Sequence, residues 1–201
     1  MLLLRTDKLP ESNEWLYELK HDGYKGIAYK TSGKLYLRSR NDNDFNLRYP
    51  TIAKALSALP NETVVDGEIV AFDASGKPSF NTLQNRGSSG GPLVYLIFDL
   101  MILAGRDVSK LPLETRQELL RAKVLPKLSE PVRYPGALNA SLPDLIKFVK
   151  ASGGEGLVIV FWRSMEQAAR GDAMCLNEGE SFSYVLPDSG MCYVSSRACL
   201  E

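Results

Sequence analysis

Apolar and polar positions alternate at the start of the chain and shift to a longer period further on. Residues 14–20 put Trp15, Tyr17 and Leu19 on one face at a period of two, which predicts a strand. Residues 25–30 and 34–40 flank Thr31-Ser32-Gly33 and predict a hairpin. Over 50–59 the apolar residues Ile52, Ala53, Leu56 and Leu59 follow a helical spacing. Residues 63–72 read as a strand broken by Asp66-Gly67, and 92–103, rich in Val, Tyr, Ile and Phe, as a buried strand. Two further helices are predicted. One covers 112–124, with Pro and Glu in its first turn. The other covers 142–151 and is ended by Gly153-Gly154. A last strong strand falls at 156–162. Hairpins come first and helices are interspersed, so the expected class is α+β with largely antiparallel sheets.

Composition narrows the function classes. The 201 residues are 44% hydrophobic and 24% charged, enough for one domain, or a large domain with a small appendage, around a real core. Disordered, collagenous and coiled-coil chains are excluded. No apolar run approaches the ~18 residues of a membrane span. Met1-Leu2-Leu3-Leu4 is followed at once by Arg5 and Asp7, so it does not read as a signal peptide. The net charge is zero, which argues against nucleic-acid binding by bulk charge alone and leaves room for a local basic surface.

That charge is unevenly spread. Residues 1–160 hold 21 basic and 18 acidic residues, whereas 161–201 hold 3 and 6. The latter stretch has no lysine and contains Cys175, Cys192 and Cys199, so it reads as a separate segment. Three cysteines near one end form no disulfide framework, and a reducing compartment is the simpler expectation. With His21 as the single histidine, a His-based metal cage is excluded, and a Ser-His-Asp triad would have to use that residue.

Four stretches offer chemistry, each with a plainer alternative. Lys20 ends an apolar strand, where partial burial favours a nucleophilic amine, and Lys25 adds a second charge; the plainer reading is a strand, an Asp22-Gly23 turn and solvated lysines. Val65-Asp66-Gly67-Glu68-Ile69-Val70 places two carboxylates among β-branched residues, suited to a ribose hydroxyl or hydrated Mg²⁺, or else forms another turn. Tyr95-Leu96-Ile97-Phe98-Asp99-Leu100 offers a ring to stack on a base, or only core. Gly153-Gly154-Glu155-Gly156 sets a lone acid at the head of a strand, open to a metal, or caps a helix.

Order and spacing join these stretches. Lys20-His21-Asp22-Gly23-Tyr24-Lys25, then Ser39-Arg40-Asn41, then Asp66-Gly67-Glu68, then Phe98-Asp99-Leu100, then Glu155-Gly156-Leu157-Val158 resemble the covalent nucleotidyltransferases. These are the ATP-dependent DNA ligases, with RNA ligases and capping enzymes as relatives. Residues 15–20 and 79–84 look most like the ligases of bacterial end joining. The resemblance implies a covalent nucleotidyltransferase (ATP-grasp-like) fold over residues 1–160, with two antiparallel sheets flanked by helices and ATP in the groove between them. It implies that Lys20 attacks the α-phosphate of ATP to give lysyl-AMP. Glu18 and Leu19 would lie at the nucleotide, with Glu18 reading the adenine edge. Lys25 and Arg40 would contact ribose or phosphate, Phe98 would stack on adenine, and Glu68 would bind ribose or metal. Glu155 would hold Mg²⁺ or Mn²⁺. Implied partners are nicked double-stranded DNA and end-joining proteins, with no membrane, for a monomer in the bacterial cytoplasm at the nucleoid.

The chain also departs from the family's pattern. The fourth motif, E-G-[LIV]-[VM]-x-K, ends here in Val160. The nearest counterpart of the fifth, W-x-K-x-K, lies at 170–177, with Asp172 and Met174 in the lysine places. Three cations that would face phosphates are replaced, and the chain ends about where a ligase OB-fold would begin. Impaired adenylation is expected. A non-catalytic nucleotide- or nick-binding remnant and an RNA ligase or capping-type enzyme remain as alternatives.

Overall fold

The computed structural model describes residues 2–6, 15–85, 91–152, 157–161, 182–185 and 192–196. They divide into two compact units. The first comprises residues 1–21, 110–114 and 136–201, and the second residues 22–109 and 115–135.

The first unit is built on a five-stranded antiparallel sheet. Its strands are β1 (Leu2–Thr6), β2 (Trp15–Leu19), β9 (Leu157–Phe161), β10 (Phe182–Val185) and β11 (Cys192–Ser196), in the order β1-β11-β10-β9-β2. Two of these strands come from the acidic stretch beyond residue 160. The period-two pattern of β2 is realised: Tyr17 and Leu19 pack with Leu157 against Leu145 and Val149. Those two residues lie on the inner face of the helix Leu142–Ser152, which begins where Ser141 accepts from the Asp144 amide.

The second unit holds a six-stranded sheet. Its strands are β3 (Tyr24–Thr31), β4 (Lys34–Ser39), β5 (Thr63–Ala71), β6 (Leu93–Leu103), β7 (Arg106–Asp107) and β8 (Val132–Arg133). The order is β4-β3-β5-β6-β7, and β8 pairs with β6 in parallel. The predicted hairpin turns through Ser32 and Gly33, both at positive φ (49° and 76°), as a type I′ connection requires. Helices α1 (Phe45–Arg48) and α2 (Pro50–Leu56) follow, and α2 buries Ile52, Ala55 and Leu56. Helix α3 (Phe80–Gln84) is capped by Ser79. Helix α4 (Leu113–Leu119), which belongs to this unit from Thr115 on, runs on into a π turn over Leu120–Val124, and α5 is the Leu142–Ser152 helix of the first unit. The class is α+β. No helix among the described residues is long and apolar enough to cross a membrane.

Two expectations are corrected. Asp22-Gly23 is no hairpin turn, because β2 pairs with β9 while β3 pairs with β4 and β5. Asp66-Gly67 does not break β5, which runs unbroken from Thr63 to Ala71 with a bulge against β6 at that point. Gly67 is there for space. A Cβ on it would lie 2.4 Å from the Leu96 carbonyl oxygen and 2.5 Å from the Tyr95 ring. Gly26, its partner across β3, is 3.6 Å from the same ring by the same construction. The two glycines form a trough for fully buried Tyr95, whose hydroxyl donates to the Gly26 carbonyl at 2.8 Å. Burial, reinforced by the charge of Asp66, pushes the Tyr95 phenol well above its ordinary range, so it stays a neutral donor. Gly67→Ala forces ring or backbone out of this trough and should cost about 3 kcal/mol in chemical denaturation. A loss below about 0.5 kcal/mol would show that the trough relaxes freely.

Candidate nucleotide site

Lys20 directly follows β2 and is partly buried. Glu18, one strand position earlier on the same face, is 4% exposed. Leu19 points the other way, into the apolar cluster of α5 and β9. Sequence reasoning put all three at the nucleotide; only Glu18 and Lys20 share the face away from that cluster. These three residues belong to the first unit, and Lys25, Arg40, Glu68 and Phe98 to the second. Glu155, Asp172 and Met174 lie outside the described residues.

Within the second unit, β3 and β5 bring Lys25 opposite Glu68 in direct register. The Lys25 ammonium also reaches diagonally to Asp66 Oδ2 at 2.8 Å. The other oxygen, Asp66 Oδ1, is buried with no hydrogen-bond partner among the described residues. The ion pair to Asp66 therefore holds the Lys25 amine in place, with Glu68 opposite Lys25 on the neighbouring strand. Gly23 makes this closeness feasible: a Cβ there would lie 2.3 Å from the Ile69 carbonyl oxygen and 2.8 Å from Glu68 Cγ.

Lys25 also lines a pocket of about 490 Å³ together with Arg40, Arg48, Asn41 and Asn43. The loop carrying Arg40 is tightly built. Ser39 Oγ accepts from the amides of Asn41 and Asn43, and Asp42 turns the chain at φ 58°. Asp44 then caps α1 by accepting from the Asn46 amide at 2.8 Å. Asn46 ties α1 to β4 by accepting from the Leu37 amide and donating to the Leu35 carbonyl. The result carries Arg48 to the pocket, with its guanidinium 5.0 Å from the centre of the Tyr24 ring. Among the described residues three cations and no carboxylate line the pocket, an arrangement that attracts a phosphate-bearing ligand.

Sequence reasoning missed Arg48 and the Asp66 pairing. A signal for Arg48 was present: it closes the short helix that Asp44 caps, eight residues after Arg40. Nothing local marks the Asp66 contact, which spans 41 residues.

Phe98 is placed differently from ordinary core. In the run from Val94 to Leu100 it is the one residue that is not buried. Its side chain packs on Val70, Val94 and Leu96 beside Phe72 and is half-buried. Among the described residues no group of three or more His, Cys, Asp or Glu side chains gathers. Glu68 thus belongs to no such group among the described residues. That still suits Mg²⁺, which takes one or two carboxylates and completes its shell with water and substrate phosphates.

Comparison with known proteins identifies a family. Residues 5–161 match the family model described as ATP dependent DNA ligase domain. The multifunctional non-homologous end joining protein LigD of Pseudomonas aeruginosa is 34% identical over 152 residues, covering 74% of this chain and 18% of that protein. The Mycolicibacterium smegmatis protein of the same name is 34% identical over 164 residues, covering 80% of this chain and 21% of that protein. The chain thus spans about a fifth of the length of these relatives. Among solved structures, a mycobacterial DNA ligase D complexed with ATP and MES superposes with a TM-score of 0.62 at 29% identity. That match covers 74% of this chain and 48% of the other.

Proposed function

The chain belongs to the ATP-dependent DNA ligase domain family, and on that premise we propose that it is the adenylation domain of an end-joining DNA ligase. The observation that supports this most is the spacing of Lys20, Lys25, Arg40, Glu68 and Phe98 in the family's order, with Lys25 and Arg40 on one cationic pocket. In this reading the Lys20 amine, having lost a proton to solvent, attacks the α-phosphorus of ATP. The new N–P bond forms as the bond from that phosphorus to the bridging oxygen of pyrophosphate breaks. AMP then passes from Lys20 to the 5′-phosphate of a DNA nick, and the 3′-hydroxyl displaces it to seal the strand.

The roles of the remaining residues follow. Phe98 stacks its partly exposed ring on adenine and Glu18 meets the base edge. Leu19 contributes main chain, since its side chain is committed to the apolar cluster. Arg40 and Lys25 offset phosphate charge, and Glu68 accepts from a ribose hydroxyl or joins Glu155 in holding Mg²⁺ or Mn²⁺. A bound divalent cation would lower the charge on the phosphates and favour pyrophosphate as leaving group. Nicked duplex DNA and end-joining proteins are the proposed partners. A second reading, a nucleotide- or nick-binding remnant, is favoured by Val160 in the place of the family's lysine.

Intact mass after incubation with ATP and Mg²⁺ separates the two. The adenylation reading expects a slow gain of one AMP, reversed by pyrophosphate. ATP binding with no adduct would establish the remnant, and no ATP binding would remove both.

A further inference from the structure

Phe98 sits at an irregularity of the ladder. The register passes from Gly67 opposite Ile97 to Asp66 opposite Asp99, so Phe98 is an extra residue on β6 with no partner on β5. A bulge of this kind re-aims a side chain, and the ladder alone does not fix the aim. The next residue is tethered instead. Asp99 is 1% exposed and Arg116 5% exposed. Arg116 Nε donates to Asp99 Oδ1 at 2.8 Å and Nη2 to Oδ2 at 2.9 Å. Arg116 Nη1 donates to the Ser109 carbonyl at 3.1 Å, and Asp99 Oδ1 also accepts from the Leu100 amide at 2.8 Å.

A desolvated ion pair adds little stability over an apolar pair of similar size, so its presence calls for another role. This pair is a two-pronged, planar contact between α4 and the residue immediately after the bulge. It fixes the rotation of the peptide that carries Phe98. Lysine in place of Arg116 would keep the charge and lose the fork.

We propose that the Asp99–Arg116 fork is the positioning device for Phe98, setting the ring at the angle that accepts the purine base. Arg116 and Asp99 touch no nucleotide in this scheme and act through Phe98. The inference rests on the reading that Phe98 stacks on adenine, and the test separates failure of one from failure of the other.

The test is a double-mutant cycle on the full chain, with affinity measured on the folded fraction for ATP and for inorganic tripolyphosphate, which lacks a base. Phe98→Ala should weaken ATP about tenfold. Asp99→Asn and Arg116→Lys should each do nearly the same, while tripolyphosphate binding stays within about twofold. In Asp99→Asn/Phe98→Ala the losses should not multiply: about tenfold remains, not about a hundredfold. A purely structural ion pair predicts multiplying losses, or an equal loss for both ligands, and either result would overturn the inference. So would ATP affinity left intact by Arg116→Lys, the variant that carries the same cycle if Asp99→Asn does not fold. If Phe98→Ala itself leaves ATP affinity unchanged, the stacking reading falls and takes this inference with it.

Discussion

Lys20→Ala should yield a chain that gains no AMP from ATP, with adenylation reduced by at least about a thousandfold. The amine is the atom that forms the new bond, so no neighbouring group compensates. Lys20→Arg should fail equally, because a guanidinium keeps its proton at any accessible pH and offers no nucleophilic lone pair. ATP affinity should change only a few-fold in both variants, since base and phosphates meet other residues. The nearest competitor is Lys25, five positions on. Its ammonium is tied to Asp66 at 2.8 Å on the second unit's sheet, so the amine is committed to an ion pair. Peptide mapping of the adenylated protein locates the bond. An adduct on Lys25, or one that persists in Lys20→Ala, would overturn the assignment.

Much of this site was legible because its parts are local. Trp15, Tyr17 and Leu19 alternate on β2, Ser32-Gly33 carries a turn with two positive φ values, and the motif residues stand at fixed offsets from strand ends. What escaped depends on pairing between distant segments. Asp66-Gly67 is a turn by local propensity, yet Tyr95 and Leu96 from another strand need the missing Cβ, and tertiary packing overrides the turn. The bulge that sets Phe98 arises from the same mismatch between β5 and β6. Arg116 reaches Asp99 across 17 residues, and only the docking of α4 brings a charged residue in a helical pattern to the bulge. Arg48 reaches the pocket because Asn46 pins α1 to β4, a contact in which a polar side chain replaces a strand. Strands β10 and β11 are short β-branched and aromatic runs set in an acidic, lysine-free stretch, and four or five residues carry too little periodicity to mark a strand locally.

Returning lysine to two of the three places where the family carries it, Val160 and Met174, should raise adenylation. Register pairs Val160 with Leu16 and Val158 with Glu18, so positions 158 and 160 belong to the sheet face of Glu18, away from the cluster on α5. A lysine introduced at 160 therefore stands on the face that carries Glu18 and Lys20. Met174, the second place, lies outside the described residues and rests on the motif spacing alone. One charge-assisted contact to a phosphate is worth ~2–4 kcal/mol in a transition state, and each ~1.4 kcal/mol is tenfold in rate. Val160→Lys/Met174→Lys should then raise the single-turnover rate of AMP uptake at least about tenfold. The surrounding charge works in the same direction. Residues 161–201 hold 3 basic against 6 acidic side chains and no lysine, so they offer few cations to a triphosphate or a DNA backbone. Nick sealing by the unaltered chain should accordingly be weak or absent on a labelled nicked duplex, and its salt dependence shallow. An unchanged adenylation rate in the double variant would mean that positions 160 and 174 do not face the phosphates. Efficient sealing by the unaltered 201-residue chain would show that other cations already serve there.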